Sequence, residues 1–263
     1  MTEQPAVFKD VTLLITHYNR SSSLERLLIA FENINCRFGD IVVSDDCSSA
    51  EHLEQLKKLS KAHSFRLITT PVNGGLGNNI NKGQDAVTTE YTLYIQEDFV
   101  PKPEFVEHFK DALDIMNEDK KWDLITFYSY SSYPYLKPFK KGFSEKVFHS
   151  NPLYANHMKF YLYGDHPHLR RSSFPAKFGK YPEGLNGDKT EMEMSLSFIK
   201  HKGKGLFYDD HYGLLDQINS EQEPSTASFR KERAKRGIPG ISIARWFYLK
   251  IKFLKLNIRL LQK

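Results

Sequence analysis

The stretch "DIVVSDDCSS", residues 40–49, decides how the chain is read. A short β-branched run, Ile41 to Val43, stops abruptly on two adjacent acids and a cluster of small polar residues. Such a run bounded by turn formers reads as a buried strand. Two neighbouring carboxylates repel, so each must gain a hydrogen-bond partner or a ligand where the strand ends. An Asx-turn or a cap for the next helix would serve one of them.

Working outward, "VTLLIT" (11–16) repeats the buried-strand signal. "SSSLERLLIAF" follows, with Leu24, Leu27, Leu28 and Phe31 at helical spacing behind serine caps. On the other side, "SAEHLEQLKKLSK" carries Leu53 and Leu56 at helical spacing, and "FRLIT" (65–69) is a third strand. A Gly/Asn segment, "NGGLGNNINKGQDAV", leads to a fourth strand, "YTLYIQ" (91–96). Then "PKPEFVEHFKDALDIM" places Phe105, Phe109, Ala112, Leu113 and Met116 on one helical face, before a fifth strand, "WDLITF". Strands alternating with helices predict a doubly wound, mostly parallel α/β sheet, in which ligands bind beyond the carboxyl ends of the strands. The unusual residues lie at those ends: "THYNR", "SDDCSS", "PVNGGLGNN" and "QEDF".

The chain has 263 residues, is 40% hydrophobic and carries a net charge of +5, which suits one large α/β domain with a real core. The charge alone fits a nucleic acid, a phosphate-bearing ligand or an anionic membrane, and much of it is C-terminal. Only Cys36 and Cys47 occur, with no metal-ligand spacing. The N-terminal "MTEQPAVFKD" has no apolar signal core, and no run of 18 apolar residues is free of charge. A cytoplasmic protein is therefore expected.

Four motifs in register, "THYNR" (16–20), "VVSDDCSS" (42–49), "NGGLGNNINKG" (73–83) and "YIQEDFVP" (94–101), resemble the nucleotide-sugar-binding half of family 2 glycosyltransferases, which have the GT-A fold. The likeness covers roughly residues 10–105 and weakens toward residue 215. It implies that Thr16 and Tyr18 line a base pocket, with Asn19 and Arg20 beside it, and that Asp45 or Asp46 accepts a hydrogen bond from a nucleobase N–H. Gly75, Gly77 and Ile80 do not complete a dinucleotide fingerprint. The glycines suit a backbone passing close to a ribose or diphosphate, with Asn73, Gly75, Asn79 and Asn81 at the donor or its neighbouring loop.

The family's metal motif reads Asp-x-Asp, whereas this chain has Gln96–Glu97–Asp98. The resemblance makes Asp98 a ligand of a divalent ion, Mn2+ or Mg2+. Gln96 offers only a neutral oxygen, so binding is expected to be weak, and Glu97 suits a structural acid. A downstream third ligand corresponds to His211 in "FYDDHYG" or to Gln217 in "LLDQIN". In "GDKTEMEMSLSFI" the resemblance places the general base at Glu191, with Asp188 in reserve. Thr190 and Glu193 fit a capping box, so Glu191 is expected in the first turn. The aromatic segments between residues 127 and 163 suit a sugar acceptor or a core, and Arg170 and Arg171 suit an acceptor's phosphate or a solvated surface.

The expected activity is inverting transfer from a nucleoside diphosphate sugar, UDP-linked by resemblance, to a glycan or lipid-linked saccharide hydroxyl. A nucleotidyltransferase of similar fold and an inactive nucleotide-sugar- or nucleic-acid-binding module are the alternatives, nucleic acid being the less favoured partner. The catalytic domain is assigned to residues 1–236, its donor half to 10–105 and its acceptor half to 106–236. A tail from 237 follows "RGIPG". Within it, "ISIARWFYLKIKFLKLNIRLLQK" (241–263) projects Arg245, Lys252, Lys255, Arg259 and Lys263 on one face, with Trp246, Phe247, Phe253, Leu254, Ile258 and Leu261 on the other. A basic amphipathic helix of this kind suits a peripheral position on an anionic membrane, at its cytoplasmic face.

Overall fold

The computed structural model describes residues 4–151, 155–219, 223 and 239–262. The expected domain boundary at 236–237 and the basic residue Lys263 lie outside them. Strand β1 (Ala6–His17) leads into helix α1 (Ser21–Asn33), β2 (Cys36–Asp45), α2 (Ala50–Ala62) and β3 (Arg66–Ile68). Helix α3 (Gly75–Asp85), β4 (Tyr91–Gln96), β5 (Phe99–Pro101), α4 (Phe105–Glu118) and β6 (Leu124–Thr126) complete the first half. The second half contributes β7 (Leu136–Lys140), β8 (Phe143–Lys146), a 3-10 turn (His157–Phe160), β9 (His168–Arg171), α5 (Phe174–Phe178), α6 (Gly187–Lys200), β10 (Gly205–Tyr208), β11 (Leu215–Gln217) and α7 (Pro239–Leu261).

Among the described residues nine strands form one sheet in the order β3-β2-β1-β4-β9-β6-β10-β8-β7, and β11 pairs with β5. The β1–β2, β1–β4, β2–β3 and β6–β10 pairs are parallel, as the alternation of strand and helix predicts. Strand β9 runs antiparallel between β4 and β6, and β8 and β7 extend the far edge antiparallel.

The apolar runs are buried on both faces because helices cover both. Val11, Leu13 and Ile15 of β1, Val43 of β2 and Leu93 and Ile95 of β4 pack into one layer with Leu24, Leu27, Leu28 and Phe31 of α1 and Phe105 and Phe109 of α4. The alternate residues Leu14, Val42 and Tyr94 pack into the other, against Ile80 of α3, Phe174 of α5, and Met194 and Phe198 of α6. Each such side chain contributes about 1.5–3 kcal/mol by leaving water. Register then lines up the strand ends: Thr16 lies opposite Ser44 and Gln96, and His17 opposite Asp45.

Two local expectations change. The Gly/Asn segment is helix α3 rather than a loop, with Gly75 at its start in the left-handed region at φ 76°. Helix α6 begins at Gly187, three residues before the supposed cap Thr190. Its cap is Asn186, whose side chain accepts from Lys189 N, while Thr190, inside the helix, donates from Oγ1 to Pro182 O in the preceding loop and Glu193 pairs with Arg259. Glu191 consequently stands in the second turn, not the first.

Candidate active site

The paired acids are satisfied in different directions. Asp45 is fully buried: it sits 2.8 Å from His17 Nδ1 and accepts from Ser48 N at 3.0 Å and from Ser48 Oγ. Burial pushes its carboxyl up, but the hydrogen bonds of His17 and Ser48, with the His17 charge, outweigh that and leave it below the usual carboxylate range. Asp46 turns the other way and accepts from Gly74 N at 2.8 Å and Gly75 N at 2.9 Å, while Asn73 Nδ2 donates to its carbonyl. Asp45 thus fixes the turn after β2, and Asp46 draws the glycines of α3 to it. Asn19 and Cys47, both at positive φ, shape the two turns, and Asn19 Oδ1 accepts from Ser49 N at 2.8 Å.

The asparagines of α3 face the protein. Asn79 Nδ2 donates to His17 O at 3.2 Å, and Ser44 Oγ donates back to Asn79. Asn81 Nδ2 donates to Tyr181 O and Glu183 Oε1, each at 2.9 Å. These bonds hold α3 over the strand ends. Thr16 is buried with its hydroxyl 3.2 Å from Tyr94 OH, and Tyr18 is half-buried at the mouth of the crevice.

At the end of β4, Arg20 Nη1 lies 3.2 Å from Asp98 and 3.4 Å from Glu97. Burial, then the neighbouring Asp98, pushes the Glu97 carboxyl up to about 8. Because β11 pairs with β5, Gln217 lies opposite Phe99, and its Nε2 donates to Asp98 Oδ2 at 2.8 Å. Gln217 is thus the downstream side chain that reaches Asp98, whereas the His211 ring packs at a tilt against Tyr212 and Phe207.

The fit of a divalent ion to residues 96–98 is partial. Asp98 Oδ1 is buried and has no partner among the described residues, as an ion ligand would be. Its other oxygen is shared by a guanidinium and an amide, however, and Gln96 Nε2 donates to Asp165 Oδ2 at 3.3 Å. One open oxygen beside an arginine is a weak cation site.

Across the crevice, Glu191 lies half-buried with Asp165 and His166; one ligating atom from each falls within 4.8 Å of the others. Asp188 is exposed one turn earlier. Aromatic side chains bridge the two sides. Tyr130 OH donates to Gln217 Oε1 at 2.5 Å, its ring lies 4.8 Å from the His166 ring, and Tyr212 OH donates to Tyr130 O at 2.7 Å. Lys146 is buried nearby and donates to Thr126 Oγ1 and Leu162 O; burial pushes it down to about 7, against the pull of Glu191.

The arginine pair does not serve an acceptor phosphate. Arg170 is fully buried among the rings of Tyr94, Phe174 and Tyr181 and donates to Gln84 Oε1 at 2.7 Å. Arg171 donates to Trp122 O, Met116 O and Tyr91 OH. Asp165, His166 and Lys146 escaped sequence reasoning. The only signal was an acid and two histidines crowded into "GDHPH" before β9.

The model of glycosyl transferase family 2 matches residues 12–173, more than half the chain, which therefore belongs to that family. It is a glycosyltransferase of the GT-A fold. The poly-beta-1,6-N-acetyl-D-glucosamine synthase of Staphylococcus epidermidis is 26% identical over 90 residues, 34% of this chain and 22% of that protein, so the match spans little more than a fifth of the relative. Among solved structures, S. aureus TarS residues 1–349 align with a TM-score of 0.55 and 16% identity over 76% of this chain and 58% of that one. The same protein in complex with UDP-GlcNAc gives 0.54 and 15% over 82% and 61%. The mannosyltransferase PcManGT of Pyrobaculum calidifontis, in complex with GDP-Man and Mn2+, gives 0.53 and 12% over 80% and 56%.

Proposed function

We propose that the chain moves a sugar from a UDP-sugar to a hydroxyl of a glycan or lipid-linked saccharide, inverting the anomeric centre in a single displacement. The observation that carries this reading is the position of Glu191 on helix α6, across the crevice from the four motif-bearing strand ends. The UDP-GlcNAc complex of TarS and the synthase of S. epidermidis support a UDP-linked donor in surface polysaccharide synthesis.

Thr16 and Tyr18 bound the pocket for the base, and the Asp45 and Asp46 networks hold its walls. Glu191 takes the proton of the acceptor hydroxyl, whose oxygen attacks the anomeric carbon as the bond to the diphosphate breaks. A divalent ion, Mn2+ or Mg2+, would neutralise the charge that gathers on the leaving diphosphate. Tyr130 and Tyr212, both well exposed, offer stacking faces to a sugar ring.

Helix α7 supports a peripheral position at the cytoplasmic face of an anionic membrane. Among the described residues no helix is long and apolar enough to cross a membrane. Phe247, Ile251, Leu254, Ile258 and Leu261 form one exposed stripe, flanked by the exposed Lys250 and Lys255. The faces differ from the simple helical projection. Lys252 Nζ donates to Tyr161 OH at 2.7 Å and Arg259 pairs with Glu193, so two of the basic residues dock the helix while the apolar stripe is left outside.

Incubation with radiolabelled UDP-GlcNAc and a pool of saccharide acceptors tests the activity. Release of UDP with labelled glycan supports it. Release of pyrophosphate would instead reveal nucleotidyl transfer, and no product from any donor sugar would leave a binding module.

A further inference from the structure

We propose, resting on the UDP-sugar donor reading, that Glu223 is a positioning residue for the donor: with Asn219 it holds the turn that carries Tyr18 and Arg20, and acts on the nucleotide sugar through the Arg20 guanidinium.

Helix α1 reaches the crevice without a local cap. Arg20 stands at the cap position and makes no side-chain capping bond among the described residues, and the serines expected to cap the helix lie inside its first turn. The first N–H groups of a helix have no acceptor within it. Glu223, 200 residues further along the chain, supplies one: Oε1 accepts from Ser22 N at 2.9 Å, and Oε2 accepts from Ser23 N at 2.8 Å and from Ser23 Oγ at 2.6 Å. Glu223 is buried. Burial pushes its carboxyl up, but the bonds from Ser23 and Ser22 outweigh that and leave it below the usual carboxylate range, so a charge stands at the positive end of the helix dipole.

The same residue helps to hold Arg20. Arg20 Nη2 donates to Asn219 Oδ1 at 2.7 Å and to Glu223 O at 3.3 Å, while Nη1 lies 3.2 Å from Asp98 Oδ2. Ile218 N donates to Asp98 O at 2.7 Å, and Ile218 O accepts from Arg26 Nη2 at 3.0 Å. The turn before α1 is therefore held from two directions. Asn19 N donates to Ser48 Oγ at 2.8 Å and Asn19 Oδ1 accepts from Ser49 N, which ties it to the end of β2; Arg20 ties it to Asp98, Asn219 and Glu223. A serine just ahead of α1 would stabilise the helix equally well. A cap from residue 223 does more, because it also fixes the spacing between the base-pocket turn and the Asp98 side of the crevice.

Two readouts on the full chain test this, one of them without ligand. Glu223→Ala should speed amide hydrogen exchange in a peptide spanning residues 17–24 about tenfold or more, with a much smaller change in a peptide from β4. It should also raise the Kd of UDP-GlcNAc in isothermal titration, and the donor KM, about tenfold, with kcat within about twofold of the parent. Glu223→Gln keeps the shape but turns an amide N–H toward a serine donor, so its loss should fall between the two. In an Arg20→Lys background, Glu223→Ala should change the Kd less than about twofold, since the effect passes through the guanidinium fork. Leu256→Ala, which loosens α7 instead, should lower the Tm and leave the donor Kd unchanged. The proposal is overturned if Glu223→Ala binds donor within about twofold of the parent, if its loss is the same in the Arg20→Lys background, if exchange rises equally in both peptides, or if Leu256→Ala weakens the donor as much. A parent that binds no nucleotide sugar removes the donor reading itself, an outcome distinct from a parent that binds and a variant that binds equally well.

Discussion

Gln217 donates from Nε2 to Asp98 Oδ2 at 2.8 Å while its own Oε1 accepts from Tyr130, so one amide joins the last residue of the metal motif to the aromatic wall of the crevice. Removing it by Gln217→Ala takes one hydrogen bond from the Tyr130 hydroxyl and one from Asp98 Oδ2. Donor KM is expected to rise roughly tenfold with a smaller change in kcat, since each hydrogen bond removed is worth about 1 kcal/mol. Asp98→Ala should weaken donor binding more. Isothermal titration with UDP-GlcNAc reads both; a Gln217 variant weaker than the Asp98 variant would reverse their order of importance.

Glu191→Gln keeps the size and position of the side chain but cannot accept a proton. Transfer should fall by a factor of about 100 or more, with donor binding close to the parent's. Asp188→Asn, exposed one turn earlier, should stay within a few-fold. Equal losses in the two variants would remove Glu191 from the role of base.

Glu97 and Asp45 should respond to pH with opposite signs. The folded Glu97 carboxyl is raised from the usual 4.5 to about 8 by burial. Its contribution to stability is therefore full below pH 4.5 and is lost as pH rises toward 8. Glu97→Gln, permanently neutral, is expected to gain in Tm over the parent, with the gap opening between pH 5 and 8. Asp45 is lowered from 3.8, so its contribution is present above that value and is lost as pH falls through the folded one. Asp45→Asn should cost about 1–3 kcal/mol at pH 7, and less as the pH drops below 4. Thermal melts across pH 3–8 check both slopes.

Helix α7 separates into two faces that substitutions can address one at a time. Leu256 is buried against Phe160, Met192 and Leu196, and Leu256→Ala should loosen the docked helix by about 2 kcal/mol or somewhat more. Ile251→Glu and Ile258→Glu lie on the exposed stripe and should leave the melt unchanged while releasing the protein from phosphatidylserine vesicles in a flotation assay. Vesicle binding that survives both glutamates would end the membrane assignment.

Much of the first half was legible because its signals are local. The apolar runs at 11–16, 41–44 and 91–96 had to be strands buried on both faces, and Leu24, Leu27, Leu28 and Phe31 could only be one helical stripe. The strand-end motifs then fell into line by register alone. What was not legible depended on distant partners. Nothing near Asp45 in sequence announces His17, and the choice between His211 and Gln217 as the residue that reaches Asp98 is made only by the pairing of β11 with β5. Helix α3 was hidden by its glycines and asparagines, which favour turns until tertiary bonds such as those of Asn79 and Asn81 pin them. The burial of Arg170 went unseen because its partners are rings and neutral amides rather than an acid.

The position of β9 also constrains the order in which this chain can mature on the ribosome. β4 is complete at residue 96 and β6 at residue 126, yet they are joined only when residues 168–171 slip antiparallel between them. Until those residues leave the exit tunnel, the inner edge of β4 displays unpaired N–H and C=O groups, an invitation to non-native pairing. Nascent chains stalled before residue 168 should therefore need a holding chaperone, and those stalled well beyond 171 should not. The strand also brings with it "GDH", residues 164–166, so the Asp165–His166 side of the crevice is delivered in the same event that joins β4 to β6.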